Sequence, residues 1–200
     1  MQEPQPKGLI TEPQRLRALS HPTRLAMLEI LAIDDSATAT RCAELTGESV
    51  ASCSYHLGML AKYGFVEPAE GSGREKPWRL LQRNQSWTAE GMDPEGELAV
   101  EALNATYVDH TAEEMKAALR RSSREPEEWR RVNGSSGASV YLTVDEALAL
   151  RDELLAIAER YEARATDPSL RPAGSRPVRL FLARWLARPY DGPAHDEESS

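Results

Sequence analysis

Apolar residues recur at steps of three and four along the first third of this chain, and each run stops at a residue that breaks a helix. Residues 1–11 are polar, hold two prolines and show no period, so they read as a disordered arm. A first helix is predicted from near Pro13 to Leu19. Pro22 then stands where a first helical position tolerates proline, and Leu25, Leu28 and Leu31, with Met27 and Ile30, form the buried stripe of a second helix ended by Asp34 and Asp35. Residues 36–39 suit a short edge strand. Thr40 is a candidate N-cap for a third helix, RCAEL, which closes at Thr46 and Gly47, since glycine takes a left-handed backbone at little cost. A fourth helix is predicted from near Ser49 to Lys62 or Tyr63, with Cys53, Leu57 and Leu60 on its inner side. Gly64 ends it.

The next segment changes period. Residues 65–67 have strand composition, 71–76 (GSGREK) form a turn rich in glycine and charge, and 78–81 read as the returning strand. Helix, glycine turn, helix, then a basic hairpin is the arrangement that presents a helix to the major groove beside a wing. Beyond Pro94, Val100, Leu103, Tyr107, Val108, Met115 and Leu119 repeat at helical spacing over about 95–121, giving one long amphipathic helix. Trp129 and Val132 belong to a short piece after it. Residues 134–137 form a loop, 140–142 read as a strand, and Thr143 with Glu146 makes a capping box for another helix. In that helix Ala147, Leu150, Leu154, Ile157 and Tyr161 alternate steps of three and four, as in helices that pack lengthwise on a neighbour. Residues 178–182 look like a last strand before an acidic tail.

Composition narrows the class. With 40% hydrophobic and 28% charged residues, and apolar runs far shorter than a membrane span, a globular cytoplasmic protein without a secretory leader or membrane helix is expected. Cys42 and Cys53 are the two cysteines, and free thiols are expected. The net charge of -8 opposes a polyanionic partner. Its distribution softens that objection: residues 12–83 carry nine Lys and Arg against nine Asp and Glu, so the excess acid lies elsewhere. Glycine-rich phosphate loops, GxSxG, HExxH and paired-carboxylate patterns are missing from the sequence, so no enzymatic role is expected.

Three stretches in order, LRALSHPTRLAMLEIL, RCAELTGESVASCSYHLGMLAKYGFV and EGSGREKPWRL, resemble the ArsR-type (ArsR/SmtB-like) winged helix-turn-helix transcriptional regulators. The likeness covers a little over a third of the chain, and the long C-terminal region is similar to that of a larger actinobacterial subgroup. It implies that Ala43 and Gly47 let the two reading-head helices approach, while Cys42, Cys53 and Leu57 fill internal positions. Thr46 and Glu48 stand where such proteins usually have apolar residues, and Gly58 where a long basic side chain is common. Many of these proteins sense metals. Their thiolate site needs at least two cysteines on the first reading-head helix, where this chain has Cys42 alone. Asp109 and His110 resemble part of a second family site, but the downstream ligands are missing and zinc takes four. No metal or other cofactor is therefore expected.

On the outer face of the fourth helix, Ser49, Ser52, Ser54 and Tyr55 are candidates to touch base edges or phosphates. Arg74 and Lys76 at the wing tip are candidates for the minor groove or phosphates, the alternative being a solvated charged hairpin; Arg41 and Lys62 are weaker phosphate candidates. Trp78 is assigned to packing at the wing base.

The expected protein is mainly α with a small β content (α+β). It comprises a disordered arm (1–11), a winged helix-turn-helix DNA-binding domain (12–83), a long dimerisation-helix region (84–125), a C-terminal strand-helix-strand accessory module (126–188) and an acidic disordered tail (189–200). The expected function is a homodimeric regulator, a repressor by family default, with operator DNA as partner and the C-terminal module covering an apolar surface or binding an unidentified effector. The alternative is a winged-helix module that binds protein instead of DNA.

Overall fold

The structure, a computed structural model, describes residues 8–70, 76–83 and 85–188. It divides into two compact units, Met1–Asn133 and Gly134–Ser200. The fold is mainly helical with small sheets, a helix-turn-helix at the N-terminal end and helices after it.

In the first unit, α1 (Pro13–Leu19) and α2 (Pro22–Asp34) both start on proline, whose missing N–H is harmless in a first turn. His21 caps α2, its Nδ1 accepting the Thr23 N–H at 3.2 Å. The next helix, α3, spans Ala39–Thr46 and is capped by Thr38, not Thr40: the Thr38 hydroxyl accepts the Arg41 N–H at 3.2 Å. The reason lies outside the helix. Ala37 is tied to Trp78 by two backbone hydrogen bonds of 3.0 and 2.8 Å, which hold the chain extended up to Thr38 and let it turn only there. That bridge is also what remains of the expected edge strand at 36–39.

Gly47, at φ 76°, ends α3, its N–H bonding the Ala43 carbonyl at 2.9 Å. Two residues on, α4 (Val50–Lys62) begins behind Ser49. Its far end closes with paired bonds, Phe65 N–H to the Leu60 carbonyl at 2.9 Å and Gly64 N–H to that of Ala61 at 3.0 Å, with Gly64 at φ 72°. This turn aims the chain straight into β2 (Val66–Pro68), which pairs antiparallel with β3 (Trp78–Leu80) in the register Val66 to Leu80. Glu67 and Arg79 sit opposite each other and form an ion pair at 2.7 Å.

Residues 9–10 depart from the expected disordered arm. Leu9–Ile10 is a strand, β1, paired in parallel with β4 (Ser86–Trp87), and Ile10 is 1% exposed. Two residues are too few to show a period, so the chain's apolar alternation cannot announce this strand; the partner 77 positions away creates it. Trp87 in turn donates to Asn104 at 2.7 Å and meets Tyr107 edge-on at 5.3 Å, so β4 leans on α5 (Pro94–Arg121).

The Asp93 side chain caps α5. The helix buries Ala99, Val100 and Leu103 against a core that includes Leu16, Leu19, Met27, Leu31, Leu57 and Leu60. Arg17 to Glu95 and His110 to Glu29, the latter at 3.0 Å, pin it to α1 and α2. From Val108 onward its predicted stripe emerges: Val108, Met115 and Leu119 are exposed. A short α6 (Glu127–Arg130) follows Pro126.

The second unit contains α7 (Val144–Glu159) and α8 (Glu162–Thr166). The capping box forms as expected, with Thr143 and Glu146 bonding reciprocally. Tyr161 falls beyond α7. Neither expected strand of this region forms. Residues 140–142 and 178–182 have β-rich composition, but no ladder passes them, and all eight residues are exposed, Tyr141 at 103%. Strand propensity is a preference for a half-buried pleated surface, and without a partner strand it has no force.

If β1 is part of the folded unit, Ile10→Ala removes a fully packed side chain. The expected loss is ~2–5 kcal/mol, read as a lower urea midpoint; an unchanged midpoint would return residues 8–10 to the status of a loose arm.

Candidate nucleic-acid interface

The side of α4 that is buried decides the side that is free. Cys53, His56, Leu57 and Leu60 face inward. With those four fixed, the opposite face carries Val50, Ala51, Ser54, Tyr55 and Gly58, all exposed, and of its two large side chains Tyr55 is the more open, 62% exposed against 45% for Val50. The free face is therefore made of small residues around one tyrosine, with the Ser54 and Tyr55 hydroxyls as its side-chain polar groups.

The predicted contact residues do not all share that face. Ser54 and Tyr55 stand on it. Ser49 is the N-cap, its hydroxyl oxygen accepting the Ser52 N–H at 3.1 Å while the hydroxyl proton remains available to donate. Ser52 is half-buried, turned toward the flank of the helix. Lys62 is exposed at the last turn with its ammonium 5.4 Å from the centre of the Tyr63 ring. Lys76 is exposed two residues before β3, and Arg74 lies outside the described residues.

Arg41 is differently placed. It is exposed on α3, but its guanidinium bonds Glu44 at 3.3 Å and Asp34 at 3.4 Å, and those hydrogen bonds, Glu44 first, raise its pKa. Two carboxylates already hold it, so a phosphate would have to displace both. The sequence spacing of Asp34 and Arg41 carried no sign of this, because the two lie on different helices joined by a turn.

The sequence places His21 at a helix entry and His56 at the packed edge of the core, where both lie, and assigns Arg24 no role. His21, Arg24 and His56 cluster where the start of α2 meets the flank of α4. The imidazole centroids are 4.5 Å apart, and Tyr55 meets His56 edge-on at 5.2 Å. Burial, then the Arg24 charge, lowers the His21 pKa, with Glu48 opposing; burial, then His21 and Arg24, lowers that of His56, again against Glu48. Both rings are therefore neutral at pH 7. Neutrality also fits the hydrogen bonding, since His21 Nδ1 must be unprotonated to accept from Thr23.

Behind this face Cys42 and Cys53 are buried free thiols, and burial, followed by the nearness of Cys53, pushes Cys42 up to about 11. Cys42 is protonated at neutral pH and packs as a small apolar group. Thr46, which stands where the resembled proteins have an apolar residue, donates to the Cys42 carbonyl at 2.8 Å and lies 3.8 Å from Cys53 Sγ. Its hydroxyl thus has an intrahelical acceptor, which is how a polar side chain is accommodated at the α3–α4 seam.

A family model described as a helix-turn-helix domain matches residues 19–69, from the last residue of α1 to just past β2. This is about a quarter of the chain, and it covers α2, α3, α4 and the first wing strand. No curated protein matches the chain.

The histidine pair gives a pH dependence of stability. A folded-state histidine pKa below the unfolded value of about 6.5 means the unfolded chain binds more protons, so stability is complete above about pH 6.5 and declines as pH falls toward the folded values. Urea midpoints taken between about pH 7.5 and 5.5 should fall in the wild type and fall less in His56→Leu; equal slopes for the two would exclude the pair as the source.

Proposed function

We propose that the chain is a DNA-binding transcriptional regulator that reads duplex DNA with α4 and flanks it with the β2–β3 wing. The observation that carries this is the free face of α4: its inner residues are locked in the core while Ser54 and Tyr55 stand clear of it. The helix-turn-helix match over 19–69 supports the same reading. The free face holds no arginine for the bidentate pairing with guanine that gives the strongest base discrimination. Recognition therefore draws on hydroxyl contacts, on the wing and on groove shape.

The working form in this proposal is a homodimer. Val108, Met115 and Leu119 lie at steps of seven and four on one side of α5, exposed in the single chain. An apolar stripe on a helix of roughly 42 Å is suited to a second copy of itself. Two reading heads related by a two-fold axis imply an operator with half-sites ~10 base pairs apart centre to centre. Blocking promoter access, hence repression, follows as the simplest output. The unit Gly134–Ser200 supplies exposed apolar residues on α7, among them Leu148, Leu155 and Ile157, to receive an effector or a protein surface.

Mobility shift with genomic fragments at two salt concentrations tests the DNA reading. Binding that weakens steeply with salt supports it, and Tyr55→Ala should weaken it by a neutral hydrogen bond's worth, roughly 0.5–1.5 kcal/mol. Arg74→Ala with Lys76→Ala should lower the salt slope by roughly 0.9 for each phosphate that is no longer neutralised. No shift even at low salt would favour the protein-binding alternative. For the dimer, sedimentation equilibrium of Met115→Glu with Leu119→Glu should give a monomer; an unaltered mass would place the subunit interface elsewhere.

A further inference from the structure

Between α1, α2 and the last turns of α4 lies a surface pocket of about 200 Å³, lined by Gln14, Arg17, Ala18, Arg24, Met59 and Tyr63. Its polar walls are a carboxamide, a phenol and two guanidiniums, and no carboxylate lines it. Arg24 is the unusual member. Its Nε–H is shut off from solvent and has no acceptor, while a terminal nitrogen donates to the Arg17 carbonyl at 3.3 Å. Among the described residues it forms no ion pair. Arg17, by contrast, is held by Glu95.

A buried donor left without an acceptor costs about 1–3 kcal/mol, and native proteins keep few of them. Burial also lowers the Arg24 pKa, against the pull of Tyr55 and Tyr63, yet a guanidinium remains charged at any ordinary pH. A cation that is partly dehydrated, lacks a counter-charge and borders an open pocket is an incomplete anion site.

Its position says which anion. Tyr63 closes α4, and cations from three helices gather on it: Arg15 Nε donates to the Tyr63 carbonyl at 3.1 Å, Lys62 lies over its ring, and Arg17 and Arg24 share the pocket with it. Met59, which lines the pocket, lies one helical turn on from Tyr55, an exposed residue of the free face of α4. The pocket thus borders the reading helix on the side away from its N-cap. We propose that it seats a backbone phosphate of the duplex that receives α4, with Arg24 as the principal donor and Gln14, Arg17 and Tyr63 around it. Rotation of the Arg24 side chain toward the phosphate supplies the missing acceptor, and a guanidinium fork matches phosphate oxygens in geometry. The inference rests on the DNA reading above and adds to it phosphate-binding residues outside the helix-turn and the wing.

Gln14 offers the decisive variant because it is exposed and its replacement leaves the core untouched. Gln14→Glu places a carboxylate beside both guanidiniums. It should hold or raise the thermal midpoint, by giving Arg24 a partner, while weakening binding of the full chain to a fluorescein-labelled mixed-sequence duplex of roughly 30 base pairs. Non-specific binding is governed by neutralised phosphates, so removing this one should lower the salt slope by roughly 0.9. Arg24→Gln should lower the slope likewise, with circular dichroism checking that it folds. Tyr55→Ala serves as the separate probe of the groove face, reducing affinity with the slope kept. If the wild type binds the duplex and Gln14→Glu keeps its affinity and slope, the phosphate seat is overturned and the DNA reading stands. A wild type that fails to bind at low salt overturns both. If inorganic phosphate raises the wild-type midpoint but not that of Gln14→Glu, while duplex binding is the same for both, the pocket holds a free anion and the DNA assignment of the pocket is overturned.

Discussion

The packing of the inner face of α4 against α2 and α3 is the constraint on which the remainder depends. Cys53, Leu57 and Leu60 have no exposure, and they join Cys42, Leu28 and Leu31 in one continuous core. At the packing density of protein interiors such a seam cannot slide or rotate by a fraction of a turn without opening voids. It therefore sets the azimuth of α4, and with it the identity of the outward residues. The ends are held as firmly as the middle: Ser49 caps the start, and the paired bonds at Gly64 close the finish and launch the wing. A helix held at both ends and along one side is a rigid presenter of its other side.

Electrostatics is organised locally, against an acidic whole. Arg41 is taken by Asp34 and Glu44, Arg79 by Glu67, Arg83 by Asp35, and Arg17 by Glu95, so counting charges over residues 12–83 overstates the positive surface on offer. Among the described residues Lys62 and Arg24 form no ion pair, and both lie beside Tyr63 at the end of α4. Charge that is left over after internal pairing, rather than net charge, decides whether a surface can approach a polyanion.

The same core reaches α5 through Ala99, Val100 and Leu103, and α2 holds the helix as far as His110, with Thr111 buried beside it in sequence. The first half of that helix belongs to the reading head; the second half carries apolar residues that a single chain leaves in water. In Gly134–Ser200 the imbalance is larger: none of its described residues is buried, and α7 keeps Leu148, Leu155 and Ile157 exposed. A segment with a well-formed capping box and no core is locally specified, and its apolar residues stay in water.

Residues 13–68 show how much a sequence by itself can settle. Helix positions, the Gly47 turn and the register of inner residues at 53, 57 and 60 all follow from steps of three and four and from residues with special backbone preferences. Those are properties of neighbours in the chain, so they are written locally. The choice of Thr38 over Thr40 as a cap, the pairing of Leu9–Ile10 with Ser86–Trp87, the capture of Arg41 and the orphaned Nε of Arg24 were decided only in three dimensions. Each depends on a group brought close from another element, and no local period encodes which distant partner arrives, or whether one does.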